Sequence, residues 1–134
     1  MAETQQICPA CFRLIPAEAG VCPACGADLL ALSTRDYRDK LHAALDHPLA
    51  EVRMRVILAL GWRGESQEAE PLAACALRHP IDVVEGLAVV QALAQLGEAG
   101  HAVLQRLVHT HPAHAVREAA DRRLFGLDRE TADA

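Results

Sequence analysis

From residue 34 onward the chain carries apolar residues at helical spacing, and a recurring dipeptide interrupts them at a constant interval. The dipeptide is His-Pro, at His47-Pro48, His79-Pro80 and His111-Pro112, and the two intervals between successive histidines are identical. Aligning the chain on this interval superimposes apolar positions of successive helices, namely Val52 with Val84 and Val116, then Val56 with Ala88 and Ala120. A period of about 32 residues indicates helical units that stack on one another.

Each unit is predicted to contain two amphipathic helices joined by a polar or glycine-containing loop. The proline after each histidine suits the first turn of a helix. A capping box at Ser33-Thr34-Arg35-Asp36 opens a further helix in front of the first unit. The predicted helices are residues 34–45, 49–62, 68–78, 82–96, 98–110 and 113–125, and the polar tail 127–134 is expected to fray.

Two phrases in this region, HPLAEVRMRVILALG and HPAHAVREAADRRL, resemble HEAT repeats. They are most similar to the variety found in phycobilin-lyase-like bacterial proteins, in which a V-R-x-x-A-x-x-A-L core opens each unit. The resemblance covers residues 34–126 and departs from the pattern in the middle unit, where Val84-Glu85 replaces Val-Arg. It implies a short α-solenoid that offers an extended face to another molecule, and it identifies no bilin site.

The N-terminal segment carries two identical motifs, Cys8-Pro-Ala-Cys11 and Cys22-Pro-Ala-Cys25, separated by ten residues. Two residues between paired cysteines let both sulfur atoms converge on one ion, and two such pairs supply the four thiolates of a closed, tetrahedral structural zinc site. The prolines fix the chain at each bend, and Gly26 permits a left-handed backbone after the last cysteine. We therefore predict that Cys8, Cys11, Cys22 and Cys25 bind Zn²⁺.

Residues 7–27 resemble zinc ribbons of the rubredoxin-knuckle type, with CPAC and CPACG at the positions of that family's ligands. Haem attachment is excluded because Phe12 and Gly26 stand where histidine is needed. A thioredoxin-like dithiol lacks its βαβ surroundings. The spacing leaves a mononuclear iron centre open, since four thiolates also accept iron.

The zinc-ribbon segment is too short to fold by apolar burial alone, so metal binding is expected to supply much of its folding free energy. A small core is predicted from its apolar residues, which are Ile7, Phe12, Leu14, Ile15 and Val21. The predicted fold is mainly α, a short HEAT-like α-solenoid preceded by a small zinc-ribbon domain. The domains are residues 1–28 (four-cysteine ribbon), 29–33 (linker), 34–126 (helical repeats) and 127–134 (polar tail).

Charge and hydropathy narrow the expected partners and location. The formal net charge is −5 and no basic block occurs, which disfavours nucleic acid and anionic lipid as partners. No apolar run is long enough to span a bilayer, and the first residues lack the features of a signal peptide. We expect a cytoplasmic protein, in which paired CxxC motifs act as metal thiolates rather than disulfides.

Several further residues have a chemical and a structural interpretation. Four histidines, His101, His109, His111 and His114, suggest a second metal site, but turn chemistry at the His-Pro repeats is the favoured explanation. Cys75 aligns with Leu107 and is expected to be a buried, inert thiol. Trp62 is interpreted as a packing residue in preference to an exposed anchor. Five arginines, Arg53, Arg55, Arg117, Arg122 and Arg123, are expected to pair with Glu51, Glu118 and Asp121 rather than to bind phosphate.

The sequence contains no recognisable catalytic motif. We therefore predict a non-enzymatic adaptor or scaffold that binds a protein partner, while association with a second copy stays open. One alternative is a nucleic-acid-binding protein, because both modules serve that purpose in some families. Another is a lyase-like, cofactor-handling protein, which would require an apolar pocket and a nucleophile; the one candidate for the nucleophile is Cys75, the cysteine outside the two CxxC motifs.

Overall fold

The computed structural model describes the backbone of residues 5–133 and the side chains of residues 5–126. Residues 1–4 of the predicted ribbon, residue 134 and the side chains of the predicted tail lie outside this description. Two short strands come first, β1 (Gln5–Ile7) and β2 (Leu14–Pro16). Six helices follow, α1 (Thr34–Ala43), α2 (Ala50–Arg63), α3 (Ala69–Arg78), α4 (Val83–Leu93), α5 (Gly97–Thr110) and α6 (His114–Asp133). The prediction of a mainly helical chain with a short solenoid is confirmed.

The helices begin and end where the local chemistry requires it. Ser33 accepts a hydrogen bond at 3.0 Å from the backbone N–H of Asp36 and so caps α1. Asp82 caps α4 in the same way, accepting from the N–H of Glu85 at 3.0 Å. Helix α2 ends at Gly64, whose φ of 67° lies in the left-handed region that glycine tolerates best. Two single-turn 3-10 helices, Ala44–Asp46 and Ser66–Glu68, lie before α2 and α3.

The helices pack as two layers. Helix α4 packs between α2 and α6 in one layer, while α3 packs against α5 in the other. The core between the layers consists mainly of fully buried aliphatic side chains, including Leu41, Ile57, Leu60, Leu72, Leu93, Leu104 and Leu107. Burial of each such side chain stabilises the fold by about 1.5–3 kcal/mol, so stacking of units is what makes short helices stable here.

Two predicted helix ends are wrong. Helix α4 ends at Leu93 rather than residue 96, because the chain turns before Gly97, whose φ is 67°. Helix α6 runs to Asp133, so the expectation that it ends near residue 125 and gives way to a fraying tail is incorrect. No proline follows residue 112, and the single Gly126 costs a helix only about 1 kcal/mol relative to alanine.

The predicted small core of the ribbon is also wrong. Of its five apolar residues only Ile15 is buried within the N-terminal unit, beside Cys8 and Cys22. Leu14 and Val21 are exposed, at 44% and 57% of their surface. Ile7 and Phe12 instead pack against the core of the helices. A two-stranded unit cannot enclose five large side chains, and the adjacent helices offer the larger apolar surface.

Candidate metal centre and its contacts with the helices

The first cysteine pair lies in a tight turn that follows β1. The carbonyl of Cys8 accepts from the N–H of Phe12 at 2.7 Å, and the N–H of Cys8 donates to the carbonyl of Arg13 at 3.0 Å. The N–H of Ala10 points at the sulfur of Cys8, 3.4 Å away. This turn, residues 8–13, is called the first knuckle below.

The second pair repeats the same arrangement after β2. The carbonyl of Cys22 accepts from the N–H of Gly26 at 2.9 Å, and the N–H of Cys22 donates to the carbonyl of Ala27 at 2.9 Å. The backbone N–H groups of Ala24 and Cys25 both lie 3.4 Å from the sulfur of Cys22. Residues 22–27 are called the second knuckle. Amide donors aimed at a sulfur stabilise a thiolate, which is the form that binds metal.

The two knuckles bring all four predicted ligands together. The sulfur of Cys8 lies 3.6 Å from that of Cys25, and the sulfur of Cys11 lies 3.8 Å from that of Cys22. All four sulfurs lie within 4.8 Å of one another. In a tetrahedron with metal–sulfur bonds of about 2.3 Å, the sulfur atoms are about 3.8 Å apart. The spacing therefore fits one metal ion and is too long for a disulfide, and the cluster can hold a metal.

The electrostatics of the cluster also favour a cation. Burial opposes ionisation of Cys22, but the N–H groups of Cys25 and Ala24 outweigh it and lower the pKa of that thiol to about 6. The N–H of Ala27 acts in the same direction on Cys25, but burial and the adjacent sulfurs raise the pKa of Cys25 to about 12. Adjacent sulfurs cannot all ionise without a positive charge among them. A metal ion provides that charge, and its binding releases the remaining protons.

Strand β1 is joined to helix α1 through one tyrosine. Tyr37 donates its hydroxyl hydrogen to the carbonyl of Ile7 at 2.5 Å, and its oxygen accepts from the N–H of Ile7 at 3.2 Å. The side chain of Ile7 is fully buried in the core of the helices. The residue immediately before the first ligand is thus fixed by both its backbone and its side chain.

The first knuckle contacts helix α2 through Phe12. Its φ is 62°, and it is the one non-glycine residue with positive φ in the part of the chain that the structure describes. Its ring meets that of His47 edge to face with centroids 5.6 Å apart, and its carbonyl accepts from Arg55 at 3.4 Å. A left-handed backbone costs a residue with a side chain roughly 1–2 kcal/mol. At the equivalent position the second knuckle has Gly26, with φ 81°.

A second group of potential ligands was missed by the sequence reasoning, although all its members lie inside the repeats. Cys75, His79 and Glu85 place one ligand atom each within 4.8 Å of the others. The carboxylate of Glu85 accepts from the thiol of Cys75 at 3.1 Å and lies 3.2 Å from Nδ1 of His79. The signal in the sequence is the replacement of arginine by Glu85 in the middle unit.

This second group is better described as a hydrogen-bond network than as a metal site. Arg53 donates to both carboxylate oxygens of Glu85, at 2.9 and 3.1 Å, so the negative charge is already neutralised. Burial, together with the carboxylate of Glu85, raises the pKa of the Cys75 thiol to about 12. Cys75 is fully buried, as predicted, and its high pKa disfavours the thiolate that nucleophilic chemistry requires.

The remaining predicted residues are placed as follows. Nδ1 of His47 accepts from the N–H of Leu49 at 3.1 Å, and Nδ1 of His111 accepts from the N–H of Ala113 at 3.0 Å, which confirms turn chemistry at these two His-Pro positions. No cluster of potential ligands within residues 5–126 includes His101, His109, His111 or His114. Trp62 is half-buried and packs against the core, as predicted.

Four of the five arginines, Arg53, Arg55, Arg117 and Arg122, form intramolecular contacts, and only one of these contacts is a predicted pair. Arg122 pairs with Glu118, which was among the expected partners. Arg53 pairs with Glu85 in the next unit instead of with Glu51. Arg117 donates to the carbonyl of His111 at 2.8 Å, as Arg53 does to that of His47 at 2.8 Å. These two arginines therefore stabilise the turn that precedes their own helix.

Comparison with known protein families identifies the repeats. A family model described as HEAT repeats matches residues 22–89, a segment that runs from the second knuckle into α4. No curated protein and no solved structure matches the chain. The similarity of residues 7–27 to zinc ribbons, and of the repeats to the phycobilin-lyase-like variety, stays a prediction. No helix among the described residues is long and apolar enough to cross a membrane.

Proposed function

The chain belongs to the HEAT-repeat family, and from that premise we propose that it is a non-enzymatic cytoplasmic adaptor. Its helical repeats bind a protein partner, and its N-terminal unit is a structural zinc site formed by Cys8, Cys11, Cys22 and Cys25. HEAT repeats commonly mediate protein–protein interaction, because a stack of helix pairs presents a continuous face.

The observation that carries this proposal is an uncovered apolar stripe on the middle unit. Ile81 lies in the turn before α4, and Val84 and Leu87 lie in its first turns, with 93%, 65% and 39% of their surfaces accessible. We call these three residues the α4 stripe. Two of them lie three residues apart on the helix, so they share one side of it. Large apolar side chains grouped at one place on a surface are typical of a protein interface.

The repeat itself indicates how such a position is used. Leu87 corresponds to Arg55, which holds the same place in the first unit. Arg55 donates to the carbonyl of Phe12 and so helps to hold the N-terminal unit. In the first unit, then, this position contacts another module, while in the second unit it is apolar and exposed. This parallel supports the view that the α4 stripe also binds a polypeptide.

The zinc part of the proposal rests on the chemistry of the donor set. Four thiolates at tetrahedral spacing form a closed site, with no position left for a substrate or a reactive water. When bound, the metal supplies a fixed crosslink between the two knuckles. The surrounding residues orient the sulfurs through backbone N–H groups, chiefly those of Ala10, Ala24 and Cys25. We assign the site a structural role and no catalytic step.

The adaptor proposal is tested by placing a photo-crosslinking amino acid at position 84 in the full-length chain. Position 98 on α5 is the matched control, because Glu98 is also exposed but lies in the other helix layer. We expect position 84 to give one stoichiometric adduct with a partner protein. An excess of the wild-type chain, which lacks the photo-crosslinking residue, should abolish this adduct, whereas an excess of the Leu87→Asp chain should not. Equal labelling from both positions, or no adduct, would contradict the proposal.

A further inference from the structure

The first knuckle joins the candidate metal centre to the helices, and its position suggests that the two are coupled. We propose that metal binding to the four cysteines and docking of β1 and the first knuckle on α1 and α2 are thermodynamically coupled, so that metal loss uncovers the helix face beneath. This inference rests on the proposed metal site and adds a regulatory role to it, since the metal would control exposure of the helix face. The face in question, called the docking face, is formed by Tyr37, His47, Arg55 and Ala59.

The docking residues are adjacent to the ligands in the sequence. Ile7 immediately precedes the ligand Cys8, and Phe12 immediately follows the ligand Cys11. Both side chains pack against the core of the helices. A ligand and its neighbour share a peptide unit, so holding the backbone of Cys8 and Cys11 in the ligating turn also holds the backbone of Ile7 and Phe12. The metal therefore acts directly on the residues that dock.

The N-terminal unit has almost no core of its own. The apolar cluster inside it is formed by Cys8, Ile15 and Cys22, two of which are candidate ligands. Units of this size need a metal or another staple to fold. Without a metal, the shape that presents Ile7 and Phe12 to the helices together would be only weakly populated.

The docking face binds backbone groups of the N-terminal unit. Tyr37 binds both the N–H and the carbonyl of Ile7, and Arg55 binds the carbonyl of Phe12. A crevice lined by Gln5, Gln6, Ala59 and Trp62 runs along the same junction. These hydrogen bonds reach the backbone of Ile7 and Phe12, one on each side of the ligand pair Cys8 and Cys11, so they favour one position of the first knuckle on the helices. Each closed junction in turn holds the first knuckle in the metal-binding geometry.

The consequence is reciprocal. If docking strengthens metal binding by a given factor, metal binding strengthens docking by the same factor. A partner that competes with the knuckle for the docking face would weaken metal affinity, and a chelator would expose the face to that partner. The N-terminal unit thus acts as a metal-dependent cover of the first unit.

Phe12→Gly tests the coupling, because an independent knuckle and a coupled one predict opposite changes in Zn²⁺ affinity. An independent zinc knuckle would bind Zn²⁺ equally well or more tightly after this change, since glycine tolerates a φ of 62° and the second knuckle already uses Gly26. Coupling predicts the reverse, because the ring contacts with the helices are lost. We expect Zn²⁺ affinity, measured by competition with a chromophoric chelator, to fall by about tenfold or more.

Tyr37→Phe is the second variant, and it changes no residue of the N-terminal unit. It removes both hydrogen bonds to Ile7, and we expect Zn²⁺ affinity to fall about fivefold to tenfold. Gln105→Ala is the control, because Gln105 is exposed on α5 and its truncation should leave Zn²⁺ affinity unchanged. Unchanged affinity in both Phe12→Gly and Tyr37→Phe would overturn the coupling.

The closing experiment follows the wild-type, full-length chain during removal of Zn²⁺ by a chelator. Trp62 is the chain's only tryptophan and lines the junction, so its emission reports docking. We expect its emission and the hydrogen exchange of α1 and α2 to change in step with metal content, while α5 stays protected. A chain that binds no Zn²⁺ would refute the proposed metal site itself. Metal loss without change at Trp62 or in α1 and α2 would refute only the coupling.

Discussion

The N-terminal unit and the helical units reach a folded state by different means. The helical units bury a continuous set of aliphatic side chains, such as Leu60, Leu93 and Leu104. The N-terminal unit buries Ile15 and two cysteines within itself. Its other large apolar residues pack against the helices or are exposed to solvent. One region is stabilised by apolar burial, while the other depends on its sulfur cluster and on the neighbour against which it docks.

A module can keep its own local geometry without being independent of its neighbour. The two knuckles have the same hydrogen bonds, yet only the first places a bulky residue at the left-handed position. Phe12 is strained there as a member of the knuckle and favourable there as a contact with the helices. Strain of this kind persists only where the surrounding structure compensates for it.

The largest expected effect separates the two regions directly. Cys22→Ser removes one of four thiolates, and we expect Zn²⁺ affinity to fall by several orders of magnitude, since structural zinc sites contribute on the order of 10 kcal/mol. Most of the helical circular dichroism should persist. Cys75→Ala is the control, because it removes the cysteine outside the cluster and should keep one metal per chain by mass spectrometry. Loss of metal in that control would show that the site has been misassigned.

The second prediction disrupts the helical units and leaves the N-terminal ligands intact. Glu85→Ala leaves the guanidinium of Arg53 buried without its counter-charge, and we expect a loss of about 3–5 kcal/mol in the free energy of unfolding by urea. The double variant Arg53→Met, Glu85→Ala should recover part of it. A loss under about 1 kcal/mol in the single variant would mean that the pair is hydrated and contributes little.

The third prediction concerns the second knuckle alone. Gly26→Ala forces an L-residue into a φ of 81°, at a cost of roughly 1–2 kcal/mol, which we expect to appear as weaker Zn²⁺ binding. Gly126→Ala is the matched control, because an added Cβ meets no atom within 4 Å at either glycine but only Gly26 has a positive φ. Identical behaviour of the two variants would show that backbone strain does not limit the knuckle.

The smallest expected effect is a pH dependence of the helical units. Burial, reinforced by the guanidinium of Arg117, lowers the pKa of His111 below its usual value of 6.5. The folded state therefore favours the neutral ring, and stability should be complete above about pH 6.5 and decrease as the pH falls toward the lowered pKa. His111→Asn should flatten this slope in urea titrations between pH 7 and pH 5, while His109→Gln, an exposed control, should not.

Much of this arrangement is predictable from the sequence because it depends on local signals. The constant interval between His-Pro dipeptides predicts the number and order of the helices, and the spacing within each CxxC pair predicts which sulfurs meet. Both are properties of a short stretch of chain, where turn chemistry and helical periodicity act directly. The helix end that differs most from its prediction is that of α6. It lies where no proline or left-handed glycine ends the helix.

The rest depends on which surfaces meet, which no local pattern encodes. The five apolar residues of the ribbon look alike in sequence, yet Ile7 and Phe12 face the helices while Leu14 and Val21 face solvent. The partner of Arg53 was missed for a similar reason. Pairing within a helix was the expectation, and the true partner holds the equivalent position in the next unit.

The position of Glu85 also limits how this array can be extended. Arg53 and Glu85 occupy the same place in successive units and contact each other across the boundary, and the third unit returns to arginine with Arg117. A tandem duplication of the middle unit would therefore set one buried glutamate against another, whereas a duplication of units one and two together would restore an arginine opposite each glutamate. Adjacent units in the stack carry opposite charges at this position, so the array can be lengthened by two units at a time without placing like charges together.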